Sequence, residues 1–205
     1  WLLEPRHPLT ARVTVNRIWQ HHFGTGLVAS AEDFGAQGAF PSHPDLLDWL
    51  ATELIRLGWD TKALTRLIVT SATYRQDTRP SRRARRIDPE NRLLSHAPSP
   101  RLSGEVIRDQ ALFVGGLLVE RTGGPSVKPY QPANLWNEIA GPTTSAYEKG
   151  YRQDKGDALY RRSLYTFWRR AIPPPALQIF DGATREVCTT RRERTNTPLQ
   201  ALALM

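Results

Sequence analysis

The sequence predicts a mainly α fold: a compact multi-helix domain with long ordered loops and little or no β-sheet. Three observations carry this expectation. Apolar residues recur at helical spacing in separate stretches between residues 8 and 118, each bounded by a capping or stop residue. Glycines and prolines gather between those stretches rather than inside them. With 205 residues, 40% of them hydrophobic and 23% charged, the chain can bury a sizeable core.

The first helix is expected over 8–22. Pro8 suits a first turn, and Leu9, Val13, Ile18 and Trp19 recur at helical spacing, while Thr14 and Val15 lower the propensity without breaking the pattern. Gly24 and Gly26 stop it, Gly24 being placed for a left-handed C-terminal cap. Residues 24–41, GTGLVASAEDFGAQGAFP, then form a loop of a length that is functional or carries turns of its own. Ser42 caps the second helix, with Pro44 in its first turn and Asp45 three residues on as in a capping box. Leu46, Leu47, Trp49, Leu50, Leu54, Ile55 and Leu57 give it a broad apolar face, and Gly58 ends it. Asp60 or Thr61 caps a third helix striped by Leu64, Leu67 and Ile68, and the short connections make the helices antiparallel neighbours.

Residues 77–101 change character. RPSRRARR holds five arginines in eight positions, and prolines at 80, 89, 98 and 100 argue for an exposed connector and a subdomain break. Ser103 caps a fourth helix with Glu105 in its first turn, and Val106, Ile107, Ala111, Leu112, Val114, Leu117 and Leu118 predict burial on more than one face. From Gly123 to Gly156 the chain is loop-rich, with a short helical turn at Leu135-Trp136. LYRRSLYTFWRRAI, 159–172, collects Tyr160, Leu164, Phe167 and Trp168 at helical spacing; its aromatics also suit a strand, and the helix is the preferred reading. Pro173-Pro174-Pro175 opens a short helix closed by Gly182, and Thr197 caps a last one with Pro198 in its first position. The chain opens at Trp1 without Met and stops at Met205 inside LQALALM, so a single helical domain incomplete at both ends is expected.

The charge is +8, carried mainly by arginine, since the only lysines are Lys62, Lys128, Lys149 and Lys155. Such an excess suits a polyanion, or arginine forks tying loops to carboxylates and carbonyls. The cluster Arg79–Arg86 lacks helical amphipathicity and reads as a solvated loop, which weighs against nucleic acid. No apolar run approaches the ~20 residues of a membrane span. No basic segment followed by an apolar one opens the chain either. The single cysteine, Cys188, rules out an internal disulfide and reads as a small packing residue.

Self-sufficient catalytic signatures are missing. His21 and His22 point about 100° apart on a helix and do not share one ion easily, and no metal-binding spacing is present. No nucleophile elbow or phosphate loop occurs. Among the acids, Asp45, Asp48 and Glu53 are explained by helix start and polar face. What remains is a candidate binding cluster of polar groups near aromatics: Asn16, Arg17, Gln20, His21, Asp33, His43, Arg161 and Arg162. Arginines there can stack on rings and hold carboxylates, or tie down loops.

Several motifs in order, NRIWQHHFGTGLVASAEDFGAQGAFPSHPDLLDWLA, GWDTKALTRLIVTSATYRQ, DPENRLL, GGPSV, YRRSLYTFWRR with PPP, and RTNTPLQALALM, resemble one family over nearly the whole chain. It is the planctomycete cytochrome-c-associated domain, a C-terminal domain of unknown function in large exported bacterial proteins. The resemblance implies an extracytoplasmic location and partner domains in the same polypeptide: a haem c module, a companion domain and sometimes a carbohydrate-binding-type sandwich. It implies no cofactor within this chain and supplies no catalytic residue. His7 departs from the Asn expected before Pro-Leu at a cap position, where His is the poorer cap. The leading expectation is an accessory or docking domain acting through its Arg/aromatic face. The alternatives are part of a polysaccharide-active enzyme, with a site from Asn16, Arg17, His21, Asp33 and His43, and a basic nucleic-acid-binding domain.

Overall fold

The computed structural model describes residues 1–4, 7–132, 135, 151–170 and 172–205. The chain divides into two units, Trp1–Pro100 and Arg101–Met205. Seven α-helices are seen among the described residues: α1 Thr10–Phe23, α2 Pro44–Arg56, α3 Thr61–Thr70, α4 Arg82–Ile87, α5 Gly104–Val114, α6 Pro175–Gln178 and α7 Pro198–Ala203. Extended pairing there amounts to three isolated bridges, so the protein is mainly α with no sheet among the described residues. The expected turn at Trp136 lies outside them.

In the first unit α1 packs on α2 and α3, and α2 on α3. Their apolar faces meet in one core of Val15, Trp19, Leu47, Leu50, Leu54, Leu64 and Ile68, which Leu27 and Val28 enter from the loop. Trp19 stacks on Phe23, one turn later, at 4.0 Å between ring centres. The helix ends follow local chemistry. Gly24 ends α1 with φ +83°, a conformation that costs a side-chain-bearing residue, and its N–H returns to the Gln20 carbonyl at 2.9 Å. Asp60 caps α3 by accepting from the amides of Lys62 and Ala63.

Other expectations are corrected. Helix α1 begins at Thr10 rather than residue 8, and His7 serves its start: His7 Nδ1 accepts from the Leu9 and Thr10 amides. Ser42 does not cap α2; His43 is the N-cap residue, and the Ser42 hydroxyl turns to His43 Nδ1 at 3.0 Å instead. The arginine run is a short helix, α4, because Ser81 accepts from the Ala84 amide and starts it. The DPENRLL turn after it is self-contained: Asp88 accepts from the Arg92 and Leu93 amides.

In the second unit α5 packs against α6 and the turn at Ser163–Tyr165. Burial of α5 on several faces is not found: only Gly104 is fully buried, where a Cβ would stand 3.1 Å from Phe180 Cβ. The segment 159–172 is not a helix. It runs as two 3-10 turns, Gly156–Tyr160 and Ser163–Tyr165, with extended residues between. Its backbone groups find partners elsewhere: Val119 and Val127 donate to the Tyr160 and Tyr165 carbonyls, and Phe167 donates to Val127. Tertiary pairing with the 119–127 loop therefore overrides the helical spacing of its aromatics. Tyr151 sits nearby and donates to the Pro129 carbonyl, and burial, then the charge of Asp154, pushes its hydroxyl up to about 12. Helix α7 is capped by Thr197 as expected, and Gln200 completes a capping box with it. Cys188 is exposed, so it does not pack as expected.

Replacing the fully buried Leu54 by Ala is expected to cost roughly 2–5 kcal/mol. Val114→Ala, at an exposed position of α5, should stay within about 0.5 kcal/mol. Urea unfolding of the two variants measures the contrast.

Candidate functional site

The long loop of the first unit is built around Asn16. This side chain, on α1, is 0% exposed and carries two hydrogen bonds to one residue. Its Nδ2 donates to the Val28 carbonyl at 3.0 Å, and the Val28 amide donates to its Oδ1 at 2.9 Å. The amide thus satisfies both backbone groups of a buried loop residue, as a neighbouring strand would. Gly26 makes the approach feasible, since a Cβ there would stand 2.7 Å from Nδ2 and Oδ1 of Asn16. The Ser42 amide closes the loop onto the Leu27 carbonyl at 2.8 Å.

The remainder of the loop satisfies itself. Asp33 Oδ1 accepts from the Gly35 amide at 2.7 Å, an Asx turn. The Ser30 hydroxyl donates to the Asp33 carbonyl and accepts from the Ala39 amide. Gly38 packs so tightly on Asp33 that a Cβ would stand 2.2 Å from its carbonyl oxygen.

The other candidates of this unit fall on different sides of it. Arg17 and His21, one turn apart, share the exposed side of α1, whereas Gln20 is half-buried on the side of Asn16. No hydrogen bond or ion pair joins any two of Asn16, Arg17, Gln20, His21, Asp33 and His43. His22 is the more enclosed histidine, edge-on to the Tyr74 ring at 6.0 Å and to His21 at 5.4 Å. Burial, then the charge of His21, holds it below its ordinary value.

Arg161 and Arg162 belong to the second unit, and they differ sharply. Arg161 is 3% exposed. Its guanidinium donates to the carbonyls of Pro125, Arg121 and Gly123 and stacks on the Tyr165 ring, 3.9 Å from its centre. The Tyr165 hydroxyl accepts from the Gly123 amide, so ring and cation together shape the 121–125 turn. Arg162 is exposed and pairs at 3.6 Å with Asp109.

Residues that the sequence reading passed over do similar work. Arg108 is half-buried and donates to the Leu159 and Arg161 carbonyls and to the Ser163 hydroxyl, while Asp109 accepts from the Ser163 amide at 2.7 Å. Gln200 is 3% exposed; it accepts from Arg101 and donates to Asp181 and Thr195. Burial would raise the Asp181 carboxyl, but the bonds from Thr195 and Gln200 with the charge of Arg101 hold it low. The sequence reading placed Thr197 as a cap and Pro198 after it, and Gln200, two residues on, completes a capping box in the structure. Among the described residues no group of three or more His, Cys, Asp or Glu stands together to hold a metal ion, and no helix is long and apolar enough to cross a membrane. Chemically, the arrangement closes loops with polar side chains bonded to backbone groups, although Arg161 Nε itself is buried without a hydrogen-bond partner among the described residues.

Two outcomes follow from this geometry. Asn16→Ala leaves the Val28 N–H and C=O buried without partners, at roughly 1–3 kcal/mol for each group. Denaturant unfolding should show the loss, and the Val28 amide should exchange with solvent faster. For His22, the native state binds its proton less readily than the unfolded chain, so its stability contribution is full above about pH 6.5 and lost as pH falls below. Melting temperatures of the parent and His22→Gln, taken from neutral to mildly acid pH, should converge as the pH drops.

No curated protein and no solved structure matches the chain. A family model does, over residues 1–205, and on that match the chain belongs to PSD1, a family described as protein of unknown function (DUF1553).

Proposed function

We propose that the chain is an accessory docking domain of an extracytoplasmic, cytochrome-c-associated bacterial protein, holding a haem module or a companion domain of the same polypeptide. The resemblance of its motifs to the planctomycete cytochrome-c-associated family supplies the context. The observation that carries the reading is the C-terminal half of α5. Phe113 is 67% exposed and Val114 79%, and Leu117 follows them into solvent. Adjacent exposed apolar side chains of this size suit a protein-protein contact. Arg161, expected on an Arg/aromatic docking face, is turned inward onto carbonyls, so the contact falls to the apolar end of α5. The engagement of Asn16 and Asp33 in loop closure supports a scaffold over a catalytic centre.

Replacing Phe113 and Val114 together by Ser in the full-length protein should weaken domain association at least tenfold, about 1.4 kcal/mol. Limited proteolysis and the haem reduction potential read the effect. Unchanged association and potential, both on this substitution and on deletion of the domain, would sink the reading.

A further inference from the structure

Half of the net charge of the chain sits in one short stretch of the first unit. Residues 75–92 contain seven arginines, four of them on α4, against Asp77, Asp88 and Glu90: a net +4 of the total +8. All seven side chains are exposed, and none makes a hydrogen bond or an ion pair with the described residues. Two of the acids are engaged by backbone instead. Asp77 accepts from the Arg79 amide at 2.9 Å, and Asp88 from the Arg92 and Leu93 amides at 2.8 and 2.7 Å. The arginine charge is therefore uncompensated where it faces water.

An exposed arginine run alone is ordinarily a solvated face. What sets this one apart is a pair of aliphatic side chains within it. Ile87 is 58% exposed and Leu93 67%. Asp88 ties their backbone positions into one turn, since it follows Ile87 in the chain while its Oδ2 accepts from the Leu93 amide. Two large aliphatic groups thus stand in solvent on a turn edged by guanidinium groups. A soluble polyanion would meet the arginines but leave Ile87 and Leu93 in water. Single-stranded nucleic acid fits poorly for another reason: residues 75–92 hold no aromatic ring on which a base could stack. An anionic bilayer answers both features, with lipid phosphates for the arginines and the acyl boundary for the aliphatic pair.

We infer that α4 and the Ile87–Leu93 turn form a surface that rests on anionic phospholipid membranes. The whole chain should co-sediment with vesicles of phosphatidylcholine containing phosphatidylglycerol and not with phosphatidylcholine alone, and added salt should release it. Each Arg→Gln change on α4 should weaken partitioning roughly fivefold. Ile87→Ser with Leu93→Ser, which leaves the charge unaltered, should weaken it at least about fivefold as well. The positions are exposed, and matching melting curves verify that the variants fold. Equal binding to neutral vesicles would overturn the inference. So would binding that ignores the serine pair, or tighter retention on duplex DNA that also ignores it, which marks a soluble polyanion as the partner.

Discussion

The first unit depends on the pair of hydrogen bonds between the Asn16 amide and the backbone of Val28. Helices α1, α2 and α3 present an apolar core that their own side chains do not close, and Leu27 and Val28 complete it. Inserting a loop into a core brings its backbone N–H and C=O groups along, and those must be satisfied away from water. One Asn, donating and accepting at once, does this for Val28. These bonds offset the cost of burying the Val28 backbone, and with the Ser42 amide on the Leu27 carbonyl they set the path of the 24–41 loop.

The second unit meets the same difficulty with arginine. Its loops at 119–127 and 156–166 carry many backbone groups and little regular structure to pair them. Arg161 gathers three carbonyls, and Arg108 gathers two more with a hydroxyl. A guanidinium offers five donors in a fixed fork, so a single side chain can stand in for several rungs of a ladder. That use accounts for part of the arginine excess without any partner. The arginines of α4, whose side chains make no hydrogen bond or ion pair with the described residues, are the part it leaves over.

Much of the fold was legible from the chain because local rules decided it. Gly24, Asp60 and the Thr197–Gln200 box act through neighbours within four residues, and the apolar spacing of α1, α2 and α3 is a one-dimensional record of which face is buried. Legibility failed where a distant partner decided. The aromatics of 159–172 have helical spacing, yet their backbone pairs with Val119 and Val127, some 40 residues earlier. Asn16 and Arg161 read as candidate ligand contacts because polar groups among apolar ones have no local explanation. Their partners are backbone groups 12 and roughly 40 residues away, which no side-chain pattern records. Ser42 shows a third kind of failure, where a neighbouring imidazole competes for the hydroxyl that a cap needs.

The glycines of GTGLVASAEDFGAQG have a consequence for motion. By composition this is the loosest stretch of the first unit. Yet Gly26 and Gly38 lie outside the left-handed region and are required because other atoms stand where a Cβ would be, the Asn16 amide at one and the Asp33 carbonyl at the other. Glycine there provides proximity instead of conformational freedom. Each lets a polar group press against the chain, and beside Gly26 the core holds Leu27 and Val28 as well. Fluctuations of the loop are thereby confined to what the exposed residues between these two points allow, and at the Gly26 end a larger excursion must first break a buried hydrogen bond.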